Sequence, residues 1–220
     1  MKIKKWEIKL IIFDLDGTLL DSCAIWKDVD KKFFLKRNIP MPEDYGKNIA
    51  HMGLDNASKY TKERFNLKES PEDIIKEWED EVIYGYQNEI KLKDHGKEFI
   101  ELCKSKGCIL TIATANQENC YLPCLKRNNI LDYFTKILDV KNYKDGKKSP
   151  QIYLDIASSF SLKPEEILVI EDISTALKSA KEAGFITCAI YEKTSGEENL
   201  KKSIADMYIK SFSEIIKEVI

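Results

Sequence analysis

The arrangement of apolar residues along the chain predicts two kinds of segment. Leu10–Phe13 form an uninterrupted apolar run, which is typical of a strand buried on both faces of a parallel sheet. Between about residues 21 and 90, apolar residues instead recur at three- and four-residue steps, as at Ile74, Trp78 and Val82. This spacing places them on one face of a helix. The segment is therefore expected to contain helices and no convincing strand.

One of these helices carries a clear start signal. Ser70 is a favourable N-cap, Pro71 takes the first helical position, and Asp73 stands three residues after the cap. We therefore predict that a helix begins at Pro71.

The second half of the chain shows short apolar runs that alternate with helical stretches. The predicted strands are CILTIAT, TKILDV, EILVIED, FITCAIY and ADMYIK. The predicted helices are GKEFIELCKSKG, NCYLPCLKRNNILDYF, SPQIYLDIASSF, STALKSAKEAG and SFSEIIKEVI, the second with its first turn near Pro123. Such alternation implies βαβ units and a parallel sheet. We predict an α/β fold with a Rossmann-like parallel sheet core at residues 1–20 and 91–220, and an all-helical domain at 21–90 inserted after the first core strand.

Composition limits the possible functions. The formal net charge of −2 gives no reason to expect a nucleic-acid or membrane partner. No apolar run has the length of a signal peptide or a transmembrane helix. The six cysteines show no CxxC spacing, which favours free thiols in a reducing compartment. We therefore expect a cytoplasmic protein.

Two carboxylates follow the first predicted strand. Asp14 and Asp16 are one residue apart, and in an extended chain this spacing sends both side chains to the same face. Adjacent carboxylates repel each other, and burying them unpaired is unfavourable. A divalent cation, a shared proton or solvent at the strand end must offset the repulsion.

Other predicted strands also end in polar residues. Thr114 ends one strand and precedes Ala115 and Asn116, and a second strand ends in Glu171 and Asp172. Ligands of open α/β sheets bind outside the carboxyl ends of the strands, so these residues should gather at one edge.

Two adjacent lysines, Lys147 and Lys148, open the helix that precedes the strand EILVIED. Ammonium groups and the Thr114 hydroxyl suit phosphate oxygens, whereas carboxylate oxygens suit Mg²⁺. The predicted edge therefore combines groups for a phosphate with groups for a divalent cation.

Four segments, in chain order, resemble a known set of motifs. DLDGT, TIATAN, GKKSPQIYL and VIEDISTALKSAKEAG are similar to the four motifs of the haloacid dehalogenase (HAD) superfamily. The resemblance extends over about residues 8–212 and includes a helical cap domain between the first two motifs. This arrangement is similar to that of the subgroup of phosphoglycolate phosphatase and β-phosphoglucomutase.

The resemblance implies separate roles for the two carboxylates. Asp14 would be the nucleophile and form an aspartyl-phosphate. Asp16 would protonate the leaving alcohol and then activate water, and its backbone carbonyl would bind Mg²⁺. The dehalogenases of the superfamily have no acid at this position, so Asp16 points to phosphoryl transfer.

The resemblance also implies the residues that contact phosphate and metal. Thr114 would hydrogen-bond the phosphoryl group, and Lys147 would neutralise charge between that group and the nucleophile. Asp172 would bind Mg²⁺, with Glu171 as a direct or water-mediated ligand. The expected substrate-binding residues are Thr114, Ala115, Asn116, Lys147 and His51, and the expected metal ligands are Asp14, Asp16, Asp172 and Glu171.

Three positions stay open. The third motif of the family usually reads Lys-Pro; here the spacing from Pro150 and Tyr153 favours Lys147, and Lys148 is a credible substitute. His51 stands where caps of this type often touch substrate, but a packed or exposed loop histidine is an equal alternative. We interpret His95 as a linker residue, with a catalytic role as the less favoured alternative.

A mutase is the first alternative to a phosphatase. β-Phosphoglucomutase-like sequences carry a histidine twelve residues after the nucleophile, where this chain has Trp26, and an arginine after the cap-loop glycine, where it has Asn56. Both differences favour a phosphatase, in which water accepts the phosphoryl group. The second alternative is a non-catalytic HAD-fold binding protein, which would not need both Asp14 and Asp16.

The sequence thus predicts an enzyme, a Mg²⁺-dependent HAD-superfamily phosphatase that hydrolyses a small phosphomonoester through an aspartyl-phosphate. Its expected cofactor is Mg²⁺. Its expected partner is a small phosphorylated metabolite, such as a sugar phosphate, phosphoglycolate or a nucleoside monophosphate. We expect a monomer or a weak homodimer.

Overall fold

The computed structural model describes residues 1–50 and 52–220, so His51 lies outside the described residues. The strands are β1 (Lys2–Ile3), β2 (Trp6–Glu7), β3 (Leu10–Phe13), β4 (Ile109–Thr114), β5 (Lys136–Asp139), β6 (Ile167–Glu171), β7 (Ile186–Ile190) and β8 (Met207–Ile209). The α-helices are α1 (Ile25–Lys36), α2 (Tyr45–Ile49), α3 (Leu54–Phe65), α4 (Pro71–Asn88), α5 (Gly96–Ser105), α6 (Glu118–Arg127), α7 (Gln151–Ser159), α8 (Ser174–Glu182), α9 (Glu198–Ile204) and α10 (Phe212–Ile216).

The chain divides into two compact units. The first comprises Met1–Cys23 and Ile90–Ile220, and it contains the strands β1 to β8. The second, Ala24–Glu89, contains α1 to α4 and, in its described residues, no strand.

Six strands of the first unit form one parallel sheet in the order β5-β4-β3-β6-β7-β8. With β3 counted as the first strand, this is the 3-2-1-4-5-6 order of a doubly wound sheet. Phe13 of β3 pairs with Ile112 of β4 on one side and with Ile170 of β6 on the other. The predicted α/β fold with a Rossmann-like parallel sheet is confirmed. The strand order reverses between β3 and β6, where such sheets bind ligands.

The central strand β3 is buried on both faces, and its four side chains are 0% exposed. Leu10 and Ile12 belong to a buried cluster with residues of α7 and α8. Phe13, whose side chain alternates to the opposite face, packs edge-on against Phe99 of α5 with 6.0 Å between ring centroids. This packing fixes the end of the strand that precedes Asp14.

The helical unit confirms the predicted start of α4. The Ser70 hydroxyl accepts from the Asp73 N–H at 3.1 Å, the Asp73 carboxylate accepts from the Ser70 N–H at 3.2 Å, and Pro71 is the first helical residue. Phe33 of α1 packs on Trp78 of α4 with 5.6 Å between ring centroids. The same spacing of apolar residues that predicts α4 therefore also supplies the contact between the two helices.

Local structure differs from the prediction at several places. The predicted helix NCYLPCLKRNNILDYF is split, since α6 ends at Arg127 and a separate 3₁₀ turn covers Leu131–Tyr133. The prediction that α6 has its first turn near Pro123 is wrong, because α6 begins at Glu118 and contains Pro123. A proline there removes one backbone hydrogen bond, and the buried side chains before and after it, such as Tyr121 and Leu125, hold the helix in place. The patterns also do not predict α9 or the antiparallel pair β1–β2, because these elements are short and mostly exposed.

Across the described residues, no helix has both the length and the apolar character needed to cross a membrane. The six cysteines are all free thiols, and five of them are buried.

Candidate active site

Three carboxylates meet at the carboxyl ends of β3 and β6. Asp14, Glu171 and Asp172 each offer one oxygen, and these oxygens lie within 4.8 Å of one another. All three residues are buried, with exposures of 6%, 1% and 2%. The two strands are parallel and in register, and the Asp14 N–H donates to the Ile170 carbonyl at 3.0 Å. The sheet therefore brings together carboxylates that are more than 150 residues apart in the chain.

A single lysine bridges two of these carboxylates. Lys147 lies in a short 3₁₀ turn, and its Nζ donates to Asp14 Oδ1 and, at 2.6 Å, to Glu171 Oε1. Only 11% of its side chain is exposed, whereas Lys148 is exposed. The structure thus brings Lys147, and not Lys148, to the carboxylates.

Burial and mutual repulsion shift the pKa values in this group. Burial, followed by the charge of Asp14, raises the pKa of Glu171 to about 8 and that of Asp172 to about 6. Lys147 lowers the pKa of Glu171, and Ser195, Lys201 and Lys147 lower that of Asp172, but burial and the charge of Asp14 outweigh these effects. Burial lowers the pKa of Lys147, but Asp14 and Glu171 raise it by more, so the ammonium stays charged.

This donor set fits a divalent cation. Carboxylate oxygens are the hard ligands that Mg²⁺ and Ca²⁺ prefer, and a bound cation would offset the repulsion that raises the pKa of Glu171. Within residues 1–50 and 52–220, Asp14, Glu171 and Asp172 form the one group of acidic, histidine or cysteine side chains close enough to hold an ion.

Asp16 is not part of this group and has hydrogen bonds of its own. The strand ends at Phe13, so Asp16 lies in the turn that follows. The Ser22 hydroxyl donates to Asp16 Oδ1 at 2.6 Å, and the Asn116 amide donates to Oδ2 at 2.9 Å. The two carboxylates of the motif therefore have different partners. Binding of a metal by the Asp16 backbone carbonyl stays a prediction.

The residues at the end of β4 supply a buried hydroxyl, and the two that follow Thr114 line a cavity. Thr114 is 0% exposed, and its Oγ1 accepts the Asn116 N–H at 3.0 Å, which leaves the hydroxyl hydrogen able to donate. Ala115 and Asn116 line a cavity of about 550 Å³. The other residues that line it are Gln117, Glu118, Asn119, Asp139, Val140 and Lys141.

The remaining residues singled out in the sequence lie elsewhere. His95 is exposed, has a left-handed φ of 61° at the start of α5, and its Nδ1 lies 3.7 Å from the Glu98 carboxylate. Trp26 and Asn56 are exposed residues of the helical unit. The expected role of His51 stays a prediction.

Sequence reasoning missed three hydroxyls that contact the carboxylates. Besides Ser22, the Tyr153 hydroxyl donates to Glu171 Oε1 at 3.3 Å, and Thr18 Oγ1 donates to Asp172 Oδ1 at 3.3 Å. Ser22 and Thr18 follow the two aspartates within a few residues, so proximity in the chain was an available signal. Tyr153 belongs to the third motif, but nothing in that motif indicates a contact with Glu171, because the contact depends on the packing of α7.

Gly17 allows the turn after β3 to pass close to Asp172. Its φ is +80°, and a Cβ at this position would lie 2.7 Å from Asp172 Oδ2 and 2.8 Å from Cys23 Sγ. Any other residue would therefore combine a strained backbone with a steric clash.

We expect Gly17→Ala to displace the Asp172 carboxylate and to weaken binding of a divalent cation, probed with Mg²⁺, at least about tenfold. Gly107→Ala is the matched control, because Gly107 has a φ of +74° and would place its Cβ in open space. Both variants should lose about 1 kcal/mol of stability to backbone strain. Calorimetric titration with Mg²⁺ and urea unfolding separate the two effects, and equal Mg²⁺ affinities in the two variants would contradict the expectation.

Comparisons with known proteins agree with this geometry. The profile of the haloacid dehalogenase-like hydrolases matches residues 11–190. A phosphorylated carbohydrates phosphatase of Thermotoga maritima is 25% identical over 216 residues, covering 97% of this chain and 100% of the relative. A phosphoglycolate phosphatase of Nitrosococcus oceani is 26% identical over 216 residues, covering 94% of each chain. A crystal structure from Thermotoga maritima, provisionally named a β-phosphoglucomutase, has a TM-score of 0.85 and 25% identity, and the match covers 97% of this chain and 100% of that one. The resemblance seen in the four motifs is thereby confirmed, and the chain belongs to the haloacid dehalogenase-like hydrolase family.

Proposed function

We propose that the protein is a Mg²⁺-dependent phosphatase that hydrolyses small phosphorylated carbohydrates through an aspartyl-phosphate on Asp14. The observation that carries the proposal is the buried group of three carboxylates and Lys147 at the reversal point of the sheet, in a chain of the HAD hydrolase family. We also propose that the helical unit Ala24–Glu89 is the cap domain of this family.

In the proposed first step, an Asp14 oxygen attacks phosphorus and the ester oxygen leaves. Lys147, which already contacts Asp14, offsets negative charge as the phosphoryl group approaches. The Thr114 hydroxyl donates to a phosphoryl oxygen. Asp14, Asp172 and Glu171 would hold Mg²⁺, which would supply further positive charge beside the nucleophile.

Asp16 moves the protons in both proposed steps. As an acid it protonates the leaving oxygen, and as a base it then takes a proton from the water that attacks the aspartyl-phosphate. Its contact with Ser22 suits both forms, because a hydroxyl can donate to a carboxylate or accept from a carboxylic acid. Asn116 donates to the other oxygen in either form.

The cavity beside Asn116 supports a carbohydrate as the leaving group. Its lining offers three amides and the carboxylates of Glu118 and Asp139, against one cation, Lys141. Amides and carboxylates hydrogen-bond hydroxyl groups well, whereas the acidic side chains repel a carboxylate or a second phosphate. The name of the Thermotoga maritima relative, a phosphorylated carbohydrates phosphatase, supports the same class.

The proposal is tested by phosphate release from a hexose phosphate, a hexitol phosphate, phosphoglycolate and a nucleoside monophosphate, each with Mg²⁺ and with EDTA. We expect a kcat/KM for the hexose or hexitol phosphate at least about tenfold above that for phosphoglycolate, because the acidic cavity disfavours a carboxylate. EDTA should abolish release. Preference for phosphoglycolate would reject the substrate class, and release that survives EDTA would reject the metal.

A mutase is the second candidate, because the crystal structure with a TM-score of 0.85 is provisionally named a β-phosphoglucomutase. A mutase would convert glucose 1-phosphate to glucose 6-phosphate in the presence of a glucose bisphosphate, with little release of phosphate. Product analysis of the same reactions distinguishes the two activities.

A further inference from the structure

One buried charge has no part in the mechanism proposed above. Lys201 lies in α9 and is 1% exposed, whereas its neighbours Leu200 and Lys202 are each about 45% exposed. In the described part of the chain it is the one lysine classed as buried. An ammonium is buried only where close partners replace its water, so its contacts indicate what it holds.

Lys201 contacts the loop that carries a predicted metal ligand. Its Nζ donates to the backbone carbonyl of Asp172 at 2.9 Å and to Ser195 Oγ at 2.8 Å. The Ser195 hydroxyl in turn donates to the Glu192 carbonyl at 3.1 Å. Lys201 therefore joins the loop after β6 to the segment between β7 and α9.

That segment is itself held in place at both ends. Glu192 accepts from Lys93 Nζ at 2.6 Å and from the Thr194 N–H at 3.0 Å. At the other end, Glu197 accepts from the hydroxyl of Ser174, the first residue of α8. The segment is therefore joined to Asp172 through Lys201 and bonded directly to the start of α8 at Ser174, and both connections restrict the position of Asp172.

We propose that Lys201 is a positioning residue that holds the Asp172 backbone so that its carboxylate reaches the metal beside Asp14 and Glu171. This inference rests on the proposed function, since it assumes that the carboxylates bind Mg²⁺. Lys201 acts through Asp172, and it is not expected to touch substrate.

The test is the affinity of the substrate-free protein for Mg²⁺, measured by calorimetric titration. Lys201→Met keeps the length of the side chain and removes the donor, and the Kd for Mg²⁺ should rise about tenfold or more. Lys202→Met is the matched control, because Lys202 is exposed on the same helix and pairs with Glu198 at 2.5 Å. Its Kd should stay within about twofold of wild type. At saturating Mg²⁺, Lys201→Met should keep the KM of wild type, and Lys201→Arg should recover part of the affinity.

A folded Lys201→Met protein with the wild-type Kd for Mg²⁺ would overturn the proposal. If Lys201→Met does not fold, the test uses Ser195→Ala instead. This variant keeps the Lys201 ammonium and removes one of the two groups to which it donates. A smaller rise, about threefold, is then expected, and an unchanged Kd would overturn the proposal. The titration needs no substrate, so it tests the role of Lys201 separately from the phosphatase activity. If the wild-type protein binds Mg²⁺ but releases no phosphate, the phosphatase proposal is rejected, and the Kd values alone decide the role of Lys201. A wild type that binds no Mg²⁺ rejects both.

Discussion

Asp14→Asn should reduce kcat for phosphate release by about a thousandfold or more. An amide oxygen carries no negative charge and is a poor nucleophile, so the proposed aspartyl-phosphate should not form. Steady-state assays measure the loss. Acid quenching with a ³²P-labelled substrate should leave label on the wild-type protein and none on the variant.

The same variant should stay folded. In Asp14→Asn, Lys147 keeps its contact with Glu171 at 2.6 Å, and the charge that raises the pKa of Glu171 is removed. We therefore expect a thermal midpoint in EDTA that is no lower than that of wild type. Asp80→Asn, an exposed substitution in α4, is the control and should keep wild-type activity. An Asp14→Asn protein that still becomes labelled would place the nucleophile elsewhere.

Lys147→Met should lower both activity and stability. Removing a positive charge beside the proposed nucleophile, Asp14, should reduce kcat about a hundredfold or more. The substitution also leaves Asp14 and Glu171 buried without their cation, which should cost about 3 kcal/mol in the absence of metal. Phosphate release and urea unfolding in EDTA measure the two losses.

The stability loss in Lys147→Met should grow with pH. The folded-state pKa of Glu171, about 8, lies above its ordinary value of 4.5, so folding favours the protonated form and stability is lost as pH rises through that range. Lys147 lowers this pKa, so its removal raises the pKa further. At about pH 7 Glu171 is mostly protonated in both folded proteins, whereas at about pH 9 it ionises in folded wild type and stays protonated in the variant, so the variant loses more stability at the higher pH. A difference from wild type that does not change between these two pH values would contradict this account.

Lys148→Met is the matched control for the neighbouring lysine. Lys148 is exposed, so its substitution should change stability by less than about 0.5 kcal/mol and should leave kcat unchanged. If Lys148→Met were the inactive variant and Lys147→Met the active one, the assignment of the site lysine would be reversed.

Several features follow from local patterns and could be predicted without the structure. The continuous apolar run at Leu10–Phe13 buries all of its side chains only in a strand of a sheet that is covered on both faces. The run forms β3, which lies inside the six-stranded sheet. Ser70, Pro71 and Asp73 start α4 through contacts within four residues. Such features depend on the backbone and on near neighbours, so the sequence contains the information.

Other features could not be predicted, because short-range pattern does not determine them. Pro123 lies inside α6 because side chains buried before and after it outweigh one lost hydrogen bond. The short helix α9 has no strong apolar period, and its one buried side chain is a lysine. That lysine is buried only because a loop from β6 supplies its partner.

The sequence by itself determined the parallel α/β fold and the carboxylates that follow β3 and β6, because apolar runs and the direction of parallel strands decide both. Only the tertiary structure decided which of two adjacent lysines contacts Asp14 and Glu171, and which residues bond to Asp16. Lys147 and Lys148 are nearly equivalent in local sequence, and Asn116 is 100 residues from Asp16. These contacts form between residues that are far apart in the chain and are brought together by the packing of distant strands. The local pattern of apolar and polar residues does not specify which distant side chains come into contact.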